Sequence, residues 1–572
     1  MFKVYDFEVF PNDWMCVILN LANNKIMRIH NDKAALLSSL SSKDILVGFN
    51  NHYYDDIILW AIKTDQDPYE ISKQIIAGTF KRKVNCGHLT LDVKQETINK
   101  TLSLKESMAN MGMSIIETPV DFEQEELTVE QVESIMDYCE NDVSGTNNIF
   151  AKREDYFASK FNIVELFKLH PTDVAKTRAN LAATVLKARK IKDHKRDRLK
   201  LVYDKRLVIT ELPKSIVEFY DNIVGAYLEG GMITDLEKRQ LEYKLAGLVH
   251  TFGFGGVHAA KENYVSEGHF LHIDGKSYFP SIKLNNNFIS RAASMPERYE
   301  KIYHDRLKLL EEKNSEAETY KIVLNAAVGA CKAEYNALYD PLQFNNVVVN
   351  GQLILTHLIL LLDPFAELIQ SNTDGIIIKY EDTTFRPVID DVIERFGKHY
   401  ELKFAVTEIN KIAQRDANNY CVRYQDGTIV AKGIMKNHEC GNWERNNLSI
   451  IDKALVNYYM HEIPVQKTVI NTFKKDVSAF QIVAKSGKFD GMVTEVFEDG
   501  QMKMKPLQKV NRLFATKDAF LGSVFKVKDN KYQKVPNSPE QAVIWNGPID
   551  QFDKRKIDLN WYVKMIQKQL FV

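Results

Sequence analysis

Six acidic residues of this chain have the types and spacing for metal-dependent phosphoryl chemistry, and they fall into two groups. The first centres on residues 272–281, HIDGKSYFPS, where an apolar run (Phe270, Leu271, Ile273) delivers one carboxylate, Asp274. Gly275 permits a tight turn after it, and Pro280 is expected to stop regular structure. This stretch reads either as a metal-binding carboxylate beside a nucleotide pocket or as an ordinary strand-to-helix turn. Two later segments, KIVLNAAVG at 321–329 and SNTDGIIIK at 371–379, decide for the former. Lys321 and Asn325 stand four residues apart on one helical face, where a cation and an amide together can hold a triphosphate. Asp374 lies in the polar turn of a hairpin expected over 369–379, and with Asp274 it makes the two acids that phosphoryl transfer requires.

The second group lies near the N-terminus. A strand is expected over 2–10, in which Val4, Asp6 and Glu8 alternate with Tyr5, Phe7 and Val9. Acids at i and i+2 of a strand point to one side and repel, which a bound cation would explain; a solvated edge strand is the alternative. Asp55 follows an apolar strand at 45–49, just beyond its end. A helix over 127–142 carries Tyr138 and Asp142 on one face, which could equally be charged surface. Four carboxylates from three elements can hold two divalent ions about 4 Å apart, one activating a water and the other steadying the leaving oxygen, with the tyrosine orienting the water.

A chain of 572 residues and 65.8 kDa exceeds one ordinary domain, and about three or four units are expected. Hydrophobic content of 45% and charged content of 26% describe a globular protein, and 75 basic against 76 acidic residues leave nucleic-acid binding open. The distribution says more. Residues 187–200 hold eight basic and two acidic side chains, and 501–540 hold nine and three. Each run is either a solvated face or a phosphate contact. Six scattered cysteines without CxxC argue against a zinc site or a disulfide scaffold and suit a reducing cytosol. The start, MFKVYDFEVF, is not a signal peptide, and the apolar run 353–362 is too short to span a membrane and reads as a core helix. Further helices are expected at 163–170, through most of 173–200, at 296–310 and at 316–331. FGFGG at 252–256 has glycines at 253, 255 and 256 that allow close backbone approach, or simply a turn packed on a strand; His258 reads as structural.

These motifs carry a resemblance. Asp6 with Glu8, Asp55 with its upstream Asn50, and Tyr138 with Asp142 resemble the three motifs of the 3′–5′ proofreading exonucleases with four acids and a tyrosine. The resemblance implies metal ligation by Asp6, Glu8, Asp55 and Asp142, with Tyr138 orienting the water. Asp274 to Ser281 resembles motif A of the family B DNA polymerases, DxxSLYPS, which implies that Asp274 is a catalytic metal ligand, that Ser277 belongs to the nucleotide site, and that Phe279 replaces the tyrosine that gates against a ribose 2′-OH. Residues 321–329 resemble motif B, Kx3NSxYG, with Lys321, Asn325 and Gly329 matching but Ala326 for serine and Val328 for tyrosine. Arg306 loosely matches the arginine of the fingers. Residues 371–375 resemble motif C, DTDS, with Asn372 for the first acid and Asp374 matching the metal ligand. Gly255 and Gly256 resemble the template-contacting YxGG loop without its tyrosine. Tyr420 and Lys432 occupy the place of the KxY motif that holds the primer terminus, whose first lysine is Asn418 here.

The resemblance spans essentially the whole chain and is nearest to small phage-encoded members. It implies an α/β multidomain fold: an RNase H-like exonuclease domain over 1–155, a connecting and N-terminal palm region over 156–250, a palm with antiparallel sheet over 251–295 and 336–440, short helical fingers over 296–335, and a duplex-binding thumb over 441–572. It further implies two Mg²⁺ ions at each site, with Mn²⁺ as the alternative, primer–template DNA and dNTPs as substrates, a phage helicase, primase or single-strand-binding protein as partners, and action in the bacterial cytoplasm. Asp274 and Lys321 are 47 residues apart, and Asn325 and Asp374 are 49 apart, which leaves no room for the insertions of protein-primed members; a terminal protein and long strand displacement are not expected. Two rival readings stand: a nuclease whose polymerase half has decayed, supported by Ala326, Val328 and Asn372, and a non-catalytic DNA-binding protein, which would need no carboxylate clusters.

Overall fold

The computed structural model describes residues 1–118, 120–191, 197–436, 438–439 and 442–571. Part of the basic run 187–200 and Cys440 lie outside these residues. The fold is a mixed α/β multidomain with 17 helices and five sheets among the described residues. It divides into two compact units. One comprises Met1–Ala158, Asn437–Leu455 and Ile463–Gln569; the other comprises Ser159–Lys436, Val456–Glu462 and Leu570–Val572.

The first unit is built on a five-stranded mixed sheet in the order β3-β2-β1-β4-β5, from β1 (Phe2–Val9), β2 (Trp14–Asn20), β3 (Lys25–His30), β4 (Ile45–Gly48) and β5 (Leu89–Asp92). β1 is the middle strand, antiparallel to β2 and parallel to β4. Its odd residues Tyr5, Phe7 and Val9 enter an apolar core with Leu59 and Ile62 of the helix Asp55–Lys63. Its even residues turn toward the helix Val129–Lys152, so Asp6 and Glu8 are not on a solvated edge. That helix starts at a Thr128/Gln131 capping box and runs ten residues past Asp142. Its Gly145 lets the helix Leu104–Asn110 approach, since a Cβ there would stand 2.6 Å from the Met108 sulfur.

The C-terminal part of this unit forms two antiparallel sheets, one of three strands and one of four. Arg512, on the strand Val510–Ala515, is fully buried. Its guanidinium donates to the carbonyls of Ala109 (3.1 Å), Met113 (2.8 Å) and Gly547 (2.7 Å) and to the Gln481 amide oxygen (2.8 Å). One of the nine basic residues of 501–540 is therefore a structural rivet and faces no phosphate.

The second unit is organised by a seven-stranded antiparallel sheet. After the hairpin of β6 (Leu241–Leu245) and β7 (Leu248–Phe252), the strands are β8 (His258–Ala260), β9 (Tyr264–Lys276), β10 (Glu367–Asn372), β11 (Gly375–Tyr380), β12 (Lys403–Asp416), β13 (Asn419–Tyr424) and β14 (Ile429–Ala431), in the order β14-β13-β12-β9-β11-β10-β8. Side chains alternate across it. Leu271, Ile273, Ile376 and Ile378 face a core made with the helices Pro341–Leu362 and Arg386–Tyr400. Phe270, His272 and Asp274 take the opposite face, where Phe270 joins Ile377, Ile409 and Tyr420. The helices Glu297–Glu311 and Ala317–Ala330 form a hairpin, close to the expected limits.

Several expectations change. β9 continues through Gly275, which pairs with Phe404, and the chain turns at Ser277, whose φ is 52°. Pro280 sits in the first turn of the helix Tyr278–Asn285, where its missing N–H costs nothing, and does not end regular structure. After the helix Arg178–Val185, the described part of 186–200 is not helical. The run 353–362 belongs to the helix Pro341–Leu362, the one described helix long and apolar enough by composition to cross a membrane; 89% of its apolar window is buried inside the protein, as in a core helix. Replacing Arg512 by alanine leaves buried carbonyls unpaired beside a cavity, and is expected to lower unfolding stability by about 3–5 kcal/mol. Urea unfolding measures this, and a change within about 0.5 kcal/mol would contradict the assignment.

Candidate active sites

Asp6, Glu8, Asp55 and Asp142 converge on one buried cluster in the first unit. Glu8, Asp55 and Asp142 are buried and Asp6 is partly so. Two adjacent aspartates begin the helix Asp55–Lys63 and divide the work. Asp56 is saturated: it accepts from the Tyr5 hydroxyl, from Thr90 Oγ1 (2.7 Å) and from the Asn51 amide (3.0 Å). Asp55 accepts the Phe7 N–H (3.2 Å) and otherwise faces the other acids. Burial raises the carboxyls of Asp6 and Glu8 well above the ordinary range, and the neighbouring acids add to it: Asp55, then Glu8 and Asp142, for Asp6, and Asp142, then Asp55, for Glu8. Burial pushes Asp55 up to about 8, with Asp56 contributing next. Burial raises Asp142 as well, against the opposing pull of Lys105 and a hydrogen bond from Tyr138.

Lys105 is the residue that sequence reasoning missed. Its ammonium forms an ion pair with Asp142 and lies 4.1 Å from the centre of the Tyr138 ring. A signal existed: Lys105 stands in the first turn of the helix Leu104–Asn110, behind a Ser103/Glu106 capping box, where the helix dipole disfavours a cation. Its position is accounted for by the acids it serves. Cys139 also meets the cluster, and ligand atoms of Asp6, Glu8 and Cys139 lie within 4.8 Å of one another. The Cys139 thiol is held protonated by burial and nearby acids and donates to Asp6, so it belongs to the scaffold. The remaining all-oxygen donor set, buried and mutually repelling, fits a hard divalent cation.

In the second unit, Asp274, Asp374, Tyr420 and Lys432 line one cavity of about 390 Å³ with His272, Asn372 and Thr373. Asp374 sits in the turn between β10 and β11, set by Thr373 at φ 54°. Its carbonyl accepts the Gly275 N–H (2.9 Å), and Gly375 pairs with Asp274 across the sheet. A Cβ on Gly375 would lie 3.1 Å from Asp274 Oδ1 and 2.9 Å from the Ile273 carbonyl, so glycine lets the two acids approach. Burial and then Asp274 push Asp374 up to about 6; burial raises Asp274, opposed by His272 and Lys321. These two carboxylates also fit a divalent cation.

Gly256 abuts the same turn, where a Cβ would stand 2.5 Å from Thr373 Oγ1, and the Thr373 N–H bonds the Val257 carbonyl (3.0 Å). The loop before it is tied by the buried Gln352, which donates to the carbonyls of Gly253 and Gly255 (both 2.7 Å). Gly255 is exposed. His258 interacts with Thr373 (3.4 Å) and Asn372, so Asn372 is part of the hairpin's support. Ser277 accepts from Arg306, which joins the helical hairpin to the end of β9. Lys321, Asn325 and Gly329 form one exposed stripe, and Lys321 acts on Asp274 electrostatically. Phe279 does not line the cavity; it lies against Gly351 of the core helix, and Val328 packs on the same core.

Compared with known proteins, the chain matches no protein-family model, and no curated protein matches it significantly.

The acid cluster gives a pH-dependent metal response. A carboxyl raised on folding contributes stability that is full below its unfolded value of about 3.9 and is lost as pH rises through the folded value, about 8 for Asp55. A divalent cation binds the ionised carboxylates and reverses that loss. Added Mg²⁺ or Mn²⁺ is therefore expected to raise Tm by about 3 °C or more at pH 8 and far less at pH 5.5. Equal shifts at both pH values, measured by calorimetry, would contradict a cation at these acids.

Proposed function

We propose that this chain is a template-directed DNA polymerase of the family B type, adding deoxynucleotides to a primer 3′-OH and removing nucleotides at a separate 3′–5′ exonuclease site. The observation that carries the reading is the meeting of Asp274, Asp374, Tyr420 and Lys432 in one cavity, in a chain whose other unit gathers Asp6, Glu8, Asp55 and Asp142. The mixed sheet with its acids on the middle strand supports an RNase H-like exonuclease. The antiparallel sheet with acids on adjacent strands supports a palm, and the short helical hairpin supports fingers. Residues 441–572 are the proposed thumb.

Asp274 and Asp374 would hold Mg²⁺ or Mn²⁺ in one site, and Asp6, Glu8, Asp55 and Asp142 in the other, two ions in each; bound there, the ions activate the attacking oxygen and stabilise the leaving one. The protein's own residues do the rest. Lys321 and Asn325 present a cation and an amide on one exposed face for the triphosphate. Arg306 fixes Ser277 beside the end of β9, and Phe279 is the proposed barrier to a ribose 2′-OH. Tyr420 and Lys432 hold the primer terminus, and Gly255 and Gly256 bring backbone to the template. In the exonuclease, Tyr138 and Lys105 flank Asp142, where the tyrosine orients water.

Residues 331–340 lead directly into the core helix Pro341–Leu362, which supports the absence of an insertion for protein priming. Primer–template DNA, dNTPs and phage replication proteins are the proposed partners, in the bacterial cytoplasm. Val328, packed on the core where an aromatic ring would meet the nascent base pair, favours one second reading, a nuclease with a decayed polymerase half.

A 5′-labelled primer–template in Mg²⁺ separates the two. Wild type is expected to extend with dNTPs, to degrade without them, and to stall at a downstream duplex. Asp374→Ala should lose extension by at least about a thousandfold and keep degradation; Asp6→Ala should do the reverse. Degradation alone under every dNTP condition would leave the nuclease reading.

A further inference from the structure

A cavity of about 650 Å³ opens in the second unit where the end of β9 and the start of β12 meet the helix Arg386–Tyr400 and Tyr303 of the helix Glu297–Glu311. It shares no lining residue with the cavity of Asp274 and Asp374. Its volume lies within the roughly 300–1,000 Å³ of organic-ligand pockets. The backbone around it is fixed. A Cβ on Gly397 would stand 2.8 Å from the Leu402 carbonyl, so glycine seats the helix against the chain that enters β12. The Asn285 amide closes the helix end by donating to the carbonyls of Tyr400 and Glu401 (both 3.1 Å).

Two of its cations are forced together. Lys276 and Lys403 are direct partners across β9 and β12, so their side chains leave the sheet on one side, and like charges so placed repel. Both are exposed, and neither has a side-chain hydrogen bond or ion pair among the described residues. Three acids also line the cavity, and each has its own cation. Asp390 accepts from Arg386 (3.0 Å), Glu394 from Lys398 (2.5 Å) and Glu401 from Arg206. Lys276 and Lys403 therefore carry the uncompensated charge. The rest of the lining is apolar: Ile393, Leu402, Phe404 and Val406, with the Tyr303 ring. The Tyr303 hydroxyl is held by Ser281 (2.9 Å), and the Phe404 ring lies 6.5 Å from that of Tyr278 and 5.8 Å from that of Phe396.

Two unpaired ammonium groups side by side suit the oxygens of one diphosphate, and an apolar wall with aromatic rings beside them suits a flat organic group. We propose that this cavity binds an organic diphosphate of the nucleoside diphosphate class, separately from the Asp274–Asp374 site, with Lys276 and Lys403 on the phosphates and Phe404 and Val406 against the organic group. With its three carboxylates already paired, the cavity takes the diphosphate without a divalent cation. The site is independent of whether the chain polymerises DNA. An occupant touching both Lys276 and Tyr303 would tie the helical hairpin to the sheet one residue before Ser277.

Isothermal titration of the full chain in metal-depleted buffer tests this, with ADP and inorganic pyrophosphate as the probes. Without a divalent cation, the acids of the Asp274–Asp374 cavity repel both. Wild type is expected to bind one ADP per chain, about tenfold or more tighter than pyrophosphate, because only ADP reaches the apolar wall. Lys403→Glu and Lys276→Gln should each weaken ADP binding about tenfold or more, and Lys403→Arg less than about threefold. Asp374→Ala should leave the ADP affinity unchanged. Absence of ADP binding to wild type, equal affinities for ADP and pyrophosphate, or unchanged ADP binding in Lys403→Glu overturns the site. Loss of binding in Asp374→Ala alone would place the nucleotide in the other cavity and overturn it as well.

Discussion

Both candidate sites depend on one constraint: carboxylates that the fold presses together away from water. A buried acid resists ionisation, and a second acid beside it resists more strongly. In the first cluster this affects Asp6, Glu8, Asp55 and Asp142 at once, and Lys105 is the one resident cation among the described residues in direct ion-pair contact with them. In the second, Asp274 and Asp374 share the burden, which His272 and then the exposed Lys321 oppose at Asp274. A fold gains no stability from such arrangements, and the divalent cations proposed for both clusters would complete their charge balance.

The surrounding structure holds the acids against their repulsion. β1 is the middle strand of its sheet, so Asp6 and Glu8 cannot relax toward solvent as edge residues would. Asp56 takes the hydrogen bonds of Tyr5, Thr90 and Asn51 and anchors the helix start, which leaves Asp55 to the cluster. In the second unit, glycine at 375 and 256 permits distances that any side chain would forbid, and Gln352, reaching from the core helix, holds the loop that buttresses the turn of Asp374. The candidate acids thus stand on strands, helices and a tight turn whose neighbours are fixed by the cores.

Much of this was legible in the sequence because it rests on short-range periodicity. Alternation along β1 placed Asp6 and Glu8 on one side, the four-residue step placed Tyr138 with Asp142 and Lys321 with Asn325, and the polar turn between apolar runs placed Asp374. The misreadings have local causes as well. Gly275 looked like a turn former, but its bare Cα is needed because a Cβ would stand 2.6 Å from the Tyr278 ring, and the turn falls two residues later at Ser277. Pro280 looked like a terminator and is a first-turn proline. Gln352 escaped notice because its partners lie in a distant segment, and for Lys105 the local signal, a cation in the first turn of a helix, does not name the distant acid it meets. The basic run 501–540 blurred two physical roles, since Arg512 is buried among carbonyls while Lys509 is open to solvent.

The most direct test of two cation-dependent sites is anomalous diffraction from crystals of the protein bound to primer–template DNA and soaked in Mn²⁺. The account expects manganese peaks between Asp274 and Asp374 and, separately, among Asp6, Glu8, Asp55 and Asp142, with the Lys105 ammonium moved off Asp142. Absence of manganese from both clusters at saturating Mn²⁺ would contradict the account; a peak at the first cluster alone would leave a nuclease and remove the polymerase.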